Sequence, residues 1–169
     1  LLFLFAGLTI NLRQRSEERG ARSEEFFLAP RSSLLAPCSS VSLFGMSISR
    51  ITMRKAIDQV LGWCHEPKSG PCRFVVTPNV DHAVMFQHRA DLRAAYDGAS
   101  LVLADGAPVV LAARLVGRSL PERIAGSDLV PGLFAAAQKP VRVFLLGAAP
   151  GVAQQAARQV VQRWPQVEV

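Results

Sequence analysis

From Met46 onward the hydrophobic and polar positions fall into repeating units. Short apolar runs alternate with longer stretches in which apolar residues recur every three or four positions, the pattern of strands alternating with amphipathic helices. After a short strand, Ala56, Ile57, Val60, Leu61 and Cys64 share one helical face, and Thr52 has the chemistry of an N-cap. The loop HEPKSGPC follows, broken by Pro67, Gly70 and Pro71. A strand is predicted over 73–77. Pro78 and Asn79 turn it into a helical stretch from Asp81 or His82 to about Tyr96, with a break near Ala90–Asp91. A second strand over 100–104 runs into Asp105–Gly106, and Pro108 sits where a helix accepts its first residue. That helix stops at Gly117. The polar loop RSLPERIAGSD leads to a helix capped by Ser127 or Asp128, with Pro131 in its first turn. A third buried strand spans 141–146, a Gly147–Gly151 turn opens a helix over 151–164, and Val167–Val169 enters another strand.

Strands that are apolar throughout are covered on both faces, as in parallel sheets. The fold class predicted is α/β, a Rossmann-like, mostly parallel sheet with helices on both faces. Because the chain stops on a strand just being entered, the domain is expected to be truncated at its C-terminal end. Residues 1–45 read differently from the rest. The apolar LLFLFAGLTI is too short to span a bilayer and lacks a basic residue before it, a charged run follows, and a Ser/Leu/Pro-rich stretch comes next. The expectation is therefore a disordered or extraneous extension over 1–45, with a short membrane-surface anchor as the rival. Residues 46–169 would then be the folded domain.

Composition narrows the partners. A net charge of +6 carried mainly by arginine suits phosphorylated small molecules, nucleic acid or anionic headgroups. Aromatics make up only 7% and are not interleaved with a basic patch, so nucleic acid is the least favoured. Cys38, Cys64 and Cys72 form no CxxC pair and no zinc spacing, and read as reduced thiols.

Ligands of open α/β sheets bind outside the carboxyl ends of the strands. Thr77 and Asp105 stand at two such ends and are the first candidates for chemistry. Asp105 can be a general base, or a turn residue favouring a helix start. Thr77 can be a β-former at a strand end, and Asn79 an ordinary turn residue. Arg123 lies in a loop with no helical face to decorate; it suits a diphosphate or a solvated surface equally. The turn from Gly147 to Gly151 could offer backbone N–H groups to a phosphate, but it lacks GxGxxG spacing. His82 and His88 read as turn and surface residues, with His82 close enough in sequence to Thr77 to belong to a site.

Three segments, TPNVDH, ASLVLADGAPVVLAARLVGRSLPERIAGSDLVPGL and RVFLLGAAPGVAQQAA, occur in order. Together they resemble the WecG/TagA/CpsF family of inverting bacterial glycosyltransferases, over roughly Ile48–Val169. The resemblance implies transfer of a sugar from a nucleotide donor, a UDP-sugar by family habit, to a polyprenyl-diphosphate-linked sugar. It implies a place in surface polysaccharide or teichoic acid assembly, at the cytoplasmic face of the membrane with peripheral attachment. Asp105 matches the family's proposed base, Thr77 and Asn79 its polar pocket residues, and Arg123 the arginine of its PER-x-x-G loop. His82, Gly106, Gly147 and Gly151 are carried as further substrate-binding positions. No cofactor and no metal are expected, since no Asp-x-Asp motif is present. A family segment, Gly-x-Pro-x-Gln-Glu, is absent from this sequence, so the chain by itself is expected to be inactive or nearly so. Two other readings remain open: an NAD(P)-binding oxidoreductase domain, and a non-catalytic docking fragment of a membrane glycan complex.

Overall fold

A computed structural model describes residues 2–5, 8–13, 39–67 and 71–169. In chain order the strands are β1 (Leu2–Phe5), β2 (Leu8–Arg13), β3 (Ser40–Leu43), β4 (Met46–Ser49), β5 (Phe74–Val76), β6 (Leu101–Val102), β7 (Val141–Gly147) and β8 (Val167–Glu168). The helices are α1 (Met53–His65), α2 (Val80–His88), α3 (Ala90–Asp97), α4 (Ala107–Leu115), α5 (Gly126–Ala136) and α6 (Val152–Arg163). The main sheet has the order β6-β5-β1-β2-β7-β8, and β3–β4 form a separate antiparallel hairpin. The pairings β5–β6, β1–β5 and β7–β8 are parallel, whereas β2 runs against both β1 and β7. The class is thus α/β with a mixed sheet in which one strand is reversed.

Side-chain alternation explains the layers. Val75, Leu101 and Leu103 join a core with Ala56, Ile57 and Val60 of α1 and Leu129, Leu133 and Phe134 of α5. Their neighbours Val76, Val102 and Ala104 join a second core with Ala83 and Phe86 of α2, Tyr96 of α3, Val109 and Ala113 of α4, and the β3–β4 hairpin. Successive residues of a strand point to opposite faces. Each strand here is apolar on both, so β5 and β6 are sandwiched between α1/α5 and α2–α4.

Several local expectations shift. Met46 does not open the patterned region: Val41 and Leu43 of β3 are buried, and β3 pairs with β4 from Ser40↔Ser49 to Leu43↔Met46. Leu2–Phe5 and Leu8–Arg13, inside the stretch set apart by sequence, are strands of the main sheet. An apolar run that short is compatible with a strand as well as with an anchor, because periodicity alone cannot tell them apart. Cys38, most of the charged run and the Ser/Leu/Pro-rich stretch before Ser39 lie outside the described residues, as do 68–70 of the HEPKSGPC loop. The break between α2 and α3 falls at Arg89, one residue ahead of the Ala90–Asp91 expected, and Asn79 caps α2 through His82 N–H at 3.0 Å. α5 begins two or three residues earlier than expected, at Gly126 after Ala125, with no side-chain cap; Asp128 is engaged elsewhere. Pro131 accordingly lies past the first turn. Thr52 caps α1 as expected, through Lys55 N–H at 3.4 Å.

Candidate functional site

Backbone hydrogen bonds carry the parallel ladder of β5 and β6 beyond their last paired residues. Leu103 N–H donates to Val76 O at 2.9 Å, and Asp105 N–H donates to Pro78 O at 2.9 Å. Asp105 is therefore fixed one strand spacing from the Thr77–Pro78–Asn79 turn. Ile124 N–H donates to Ala104 O at 2.9 Å, which anchors the loop bearing Arg123 on the other side of the same strand. Three segments far apart in sequence thus meet at the carboxyl edge of β5 and β6. Thr77 is the one buried polar side chain among the described residues, 5% exposed. Gly106 has φ +103, a backbone state that side-chain-bearing residues rarely adopt, and it swings the chain from Asp105 into α4. The N-terminus of α4 has no side-chain cap. The Asp105 carboxylate, half-buried, is therefore not consumed as a helix cap.

His82, in the first turn of α2, faces this edge. Its Nδ1 lies 2.9 Å from the Tyr96 hydroxyl in a hydrogen bond whose donor depends on the imidazole tautomer, and the rings meet edge-on with centroids 6.2 Å apart. Burial lowers the His82 pKa, while the charges of Asp81 and Asp105 raise it; burial prevails, so the ring is neutral near pH 7. Burial also pushes Tyr96 far above the usual phenol value, so its hydroxyl keeps its proton. Tyr96 had no signal in the sequence beyond being an apolar helix position, because its partner is fourteen residues away on a separate helix.

Arg123 is half-exposed and donates to Asp128 Oδ2 at 2.8 Å. Exposed pairs of this kind contribute about 0–1 kcal/mol, so an anionic ligand can compete for the guanidinium. The neighbouring Glu122, passed over in the sequence, accepts a hydrogen bond from Met53 N–H at the start of α1. The loop is thus clipped to α1 by Glu122 and to α5 by Arg123.

Gly147 and Gly151, at φ +107 and +86, lie on the same edge of the sheet but not beside Asp105. β5, β1 and β2 separate β7 from β6, four strand spacings or about 19 Å. A cavity of about 500 Å³ lies next to these residues rather than among them: it is lined by Phe44, Val80, Ala83, Val84, Gln87, His88, Pro108 and Val109, and not by Thr77, Asp105 or Arg123. It adjoins the site because Val80 follows Asn79 and Pro108 is three residues after Asp105. Among the described residues no group of three or more His, Cys, Asp or Glu gathers as metal ligands would, and no helix is long and apolar enough to cross a membrane. Cys64 and Cys72 are free, and burial raises the Cys64 pKa, which marks it as an inert core thiol.

Comparison with known proteins bears on the same segments. Over 97 residues the chain is 35% identical to an N-acetylglucosaminyldiphosphoundecaprenol N-acetyl-beta-D-mannosaminyltransferase of Bacillus spizizenii. The aligned part is 57% of this chain and 38% of that relative, so the chain spans about two-fifths of the relative's length. Neither the oxidoreductase nor the docking-fragment reading gains support from it. The sequence model for glycosyl transferases of the WecG/TagA/CpsF family matches residues 41–169, which takes in all of β3 but its first residue and every later element. The chain therefore belongs to the WecG/TagA/CpsF family of glycosyl transferases.

Proposed function

We propose that the protein acts in an inverting transfer of a hexosyl or N-acetylhexosaminyl group from a UDP-sugar to a polyprenyl-diphosphate-linked sugar, during surface polysaccharide or teichoic acid assembly. In this reading residues 46–169, with β3 before them, form part of a Rossmann-like glycosyltransferase domain working at the cytoplasmic face of the membrane by peripheral attachment. The observation that carries the reading is the junction made by Asp105 N–H to Pro78 O and Ile124 N–H to Ala104 O, which gathers an acid, a buried threonine and an arginine loop at one sheet edge.

Inverting transfer is a single displacement. The acceptor hydroxyl oxygen forms a bond to the anomeric carbon, and the bond from that carbon to the diphosphate oxygen breaks. Asp105, as general base, takes the hydroxyl proton while the electron pair of the broken bond leaves with the nucleoside diphosphate. Charge building on the diphosphate needs donors already in place. Arg123 supplies a fork of them once it exchanges Asp128 for the ligand, whereas the Gly147–Gly151 turn, four strands away on the same edge, lies too far to share that diphosphate. Thr77 and Asn79 hold sugar hydroxyls beside the acid, and neutral His82, steadied by Tyr96, adds a further hydrogen-bonding group. Gly106 keeps the backbone at Asp105 clear of the substrate. The proposed chemistry requires no metal or cofactor.

Purified complete gene product, supplied with UDP-N-acetylhexosamines and a polyprenyl-diphosphate-linked N-acetylglucosamine, should yield a disaccharide lipid with release of UDP. Failure with every donor, together with tight NADH binding in calorimetry, would favour the oxidoreductase reading instead.

A further inference from the structure

The apolar cavity beside the site is unused by the chemistry above, and its construction is unusual. Phe44, at the tip of the β3–β4 hairpin, has φ +52, in the left-handed region where a bulky side chain is rare and costly. Its ring is not tucked into the core: Phe44 is 44% exposed and forms one wall of the cavity. The tip is held in place by Gln87 Nε2, which donates to Phe44 O at 2.9 Å. Opposite walls come from α2, where Val80 and Val84 are 47% and 58% exposed and Gln87 and His88 add a polar part to the lining, and from Pro108 and Val109 at the start of α4. Val80 and Val84 are one helical turn apart and so line the same face. Both helices begin at the proposed catalytic edge, so the cavity opens within three residues of Asp105. By chain geometry that is at most about 11 Å.

We infer that this cavity, walled by Phe44, Val80, Val84 and Pro108, is the subsite for the first isoprenoid units of a lipid-diphosphate acceptor. The inference rests on the proposed transfer and adds where the acceptor's lipid lies. The Bacillus relative is named for an acceptor in which a sugar, a diphosphate and an undecaprenyl chain follow one another. If the sugar hydroxyl meets Asp105, the diphosphate must come next and the hydrocarbon after it. An apolar hollow of about 500 Å³, one short step from the acid, fits that order, and its size is typical of small-molecule sites. The positive φ values of Phe44 and Gly45 are what a two-residue hairpin turn between Leu43 and Met46 requires; the exposure of the Phe44 ring on the cavity is what a wall for a branched hydrocarbon accounts for.

The test is calorimetric titration of the full chain with farnesyl diphosphate and, separately, with inorganic diphosphate. Farnesyl diphosphate should bind at least about tenfold more tightly, since each buried methylene adds appreciable affinity. Val84→Asp should abolish that preference and leave inorganic diphosphate affinity unchanged. Phe44→Gly should weaken it several-fold while removing backbone strain, so this variant stays folded. Equal affinity for the two ligands, or a preference untouched by both variants, would overturn the inference. So would a concentration-dependent dimer dissolved by Val84→Asp without any farnesyl preference, which would make the face a self-association surface. Parallel binding and transfer assays on the complete gene product separate the two claims. Binding as described without transfer supports the subsite and removes the transfer reading; transfer with unchanged acceptor KM in both variants removes the subsite alone.

Discussion

Replacing Gly132 by alanine measures how closely α5 is seated on α1. A methyl group at this position would stand 2.8 Å from Ile57 Cδ1 and 3.8 Å from its Cγ1. The helix itself should welcome the change, since alanine is favoured over glycine in a helix interior by about 1 kcal/mol. Ile57 is 8% exposed and belongs to the core between α1 and α5, so its free end has little room to retreat. Overpacking of this kind costs about 1–3 kcal/mol. The sum is a net loss of about 1 kcal/mol, or a Tm lower by roughly 2–4 °C for a domain of this size. Ile57→Val alone removes the offending methyl and should cost about 0.5–1.5 kcal/mol. In the double variant the clash disappears and the propensity gain remains, so stability should return close to that of the parent. Urea denaturation of the four proteins gives the coupling directly, expected at about 1–3 kcal/mol in favour of the pair. If Gly132→Ala stabilises by the full helix increment and shows no coupling to Ile57→Val, α5 is not seated as described. The site would register the outcome too, because the loop carrying Arg123 is clipped to α1 through Glu122 and to α5 through Asp128.

Tyr96→Phe removes only the hydroxyl that meets His82, leaving the edge-on contact with Phe86 at 5.5 Å in place. It should cost about 1 kcal/mol in denaturant unfolding, and transfer should fall while donor KM stays put; a variant as stable and active as the parent would remove Tyr96 from the account. Because burial lowers the His82 pKa in the folded state, the unfolded chain binds the proton more readily. This contribution to stability is present above about pH 6.5, the ordinary imidazole value, and is lost as pH falls through the lowered one. Thermal unfolding followed from pH 8 to 5 should therefore decline less steeply in His82→Gln than in the parent, and parallel curves would contradict the assignment.

Much of the scaffold could be read from residue pattern. Helix α1, its Thr52 cap and the extent of β7 carry strong local signals, although β7 is buried only at Val141 and Val143 and not throughout as expected, and the Asp105–Gly106 turn is visible as a dipeptide. The sandwiching of β5 and β6 also followed from strands that are apolar on successive residues. What could not be read depended on contacts between distant segments. β2 runs antiparallel because of how it pairs, not because of any residue in it. Asp128 looked like a cap, yet it turns to Arg123, leaving α5 to start after Ala125. Of the site, Thr77, Asp105 and Asn79 stood out as polar residues closing apolar runs. Tyr96 and Glu122 did not, since each acts through a partner on another element. Phe44 fell inside the stretch set apart as an extension, and its exposed place at the hairpin tip depends on the pairing of β3 with β4.

The most direct test of the central claim is steady-state transfer by the complete gene product with Asp105 changed to asparagine, which keeps the size and removes the base. Turnover should fall about 10²–10⁴-fold, with donor KM and the unfolding midpoint close to those of the parent. An Asp105→Asn enzyme that turns over as fast as the parent would contradict the assignment of this carboxylate as the group that accepts the proton.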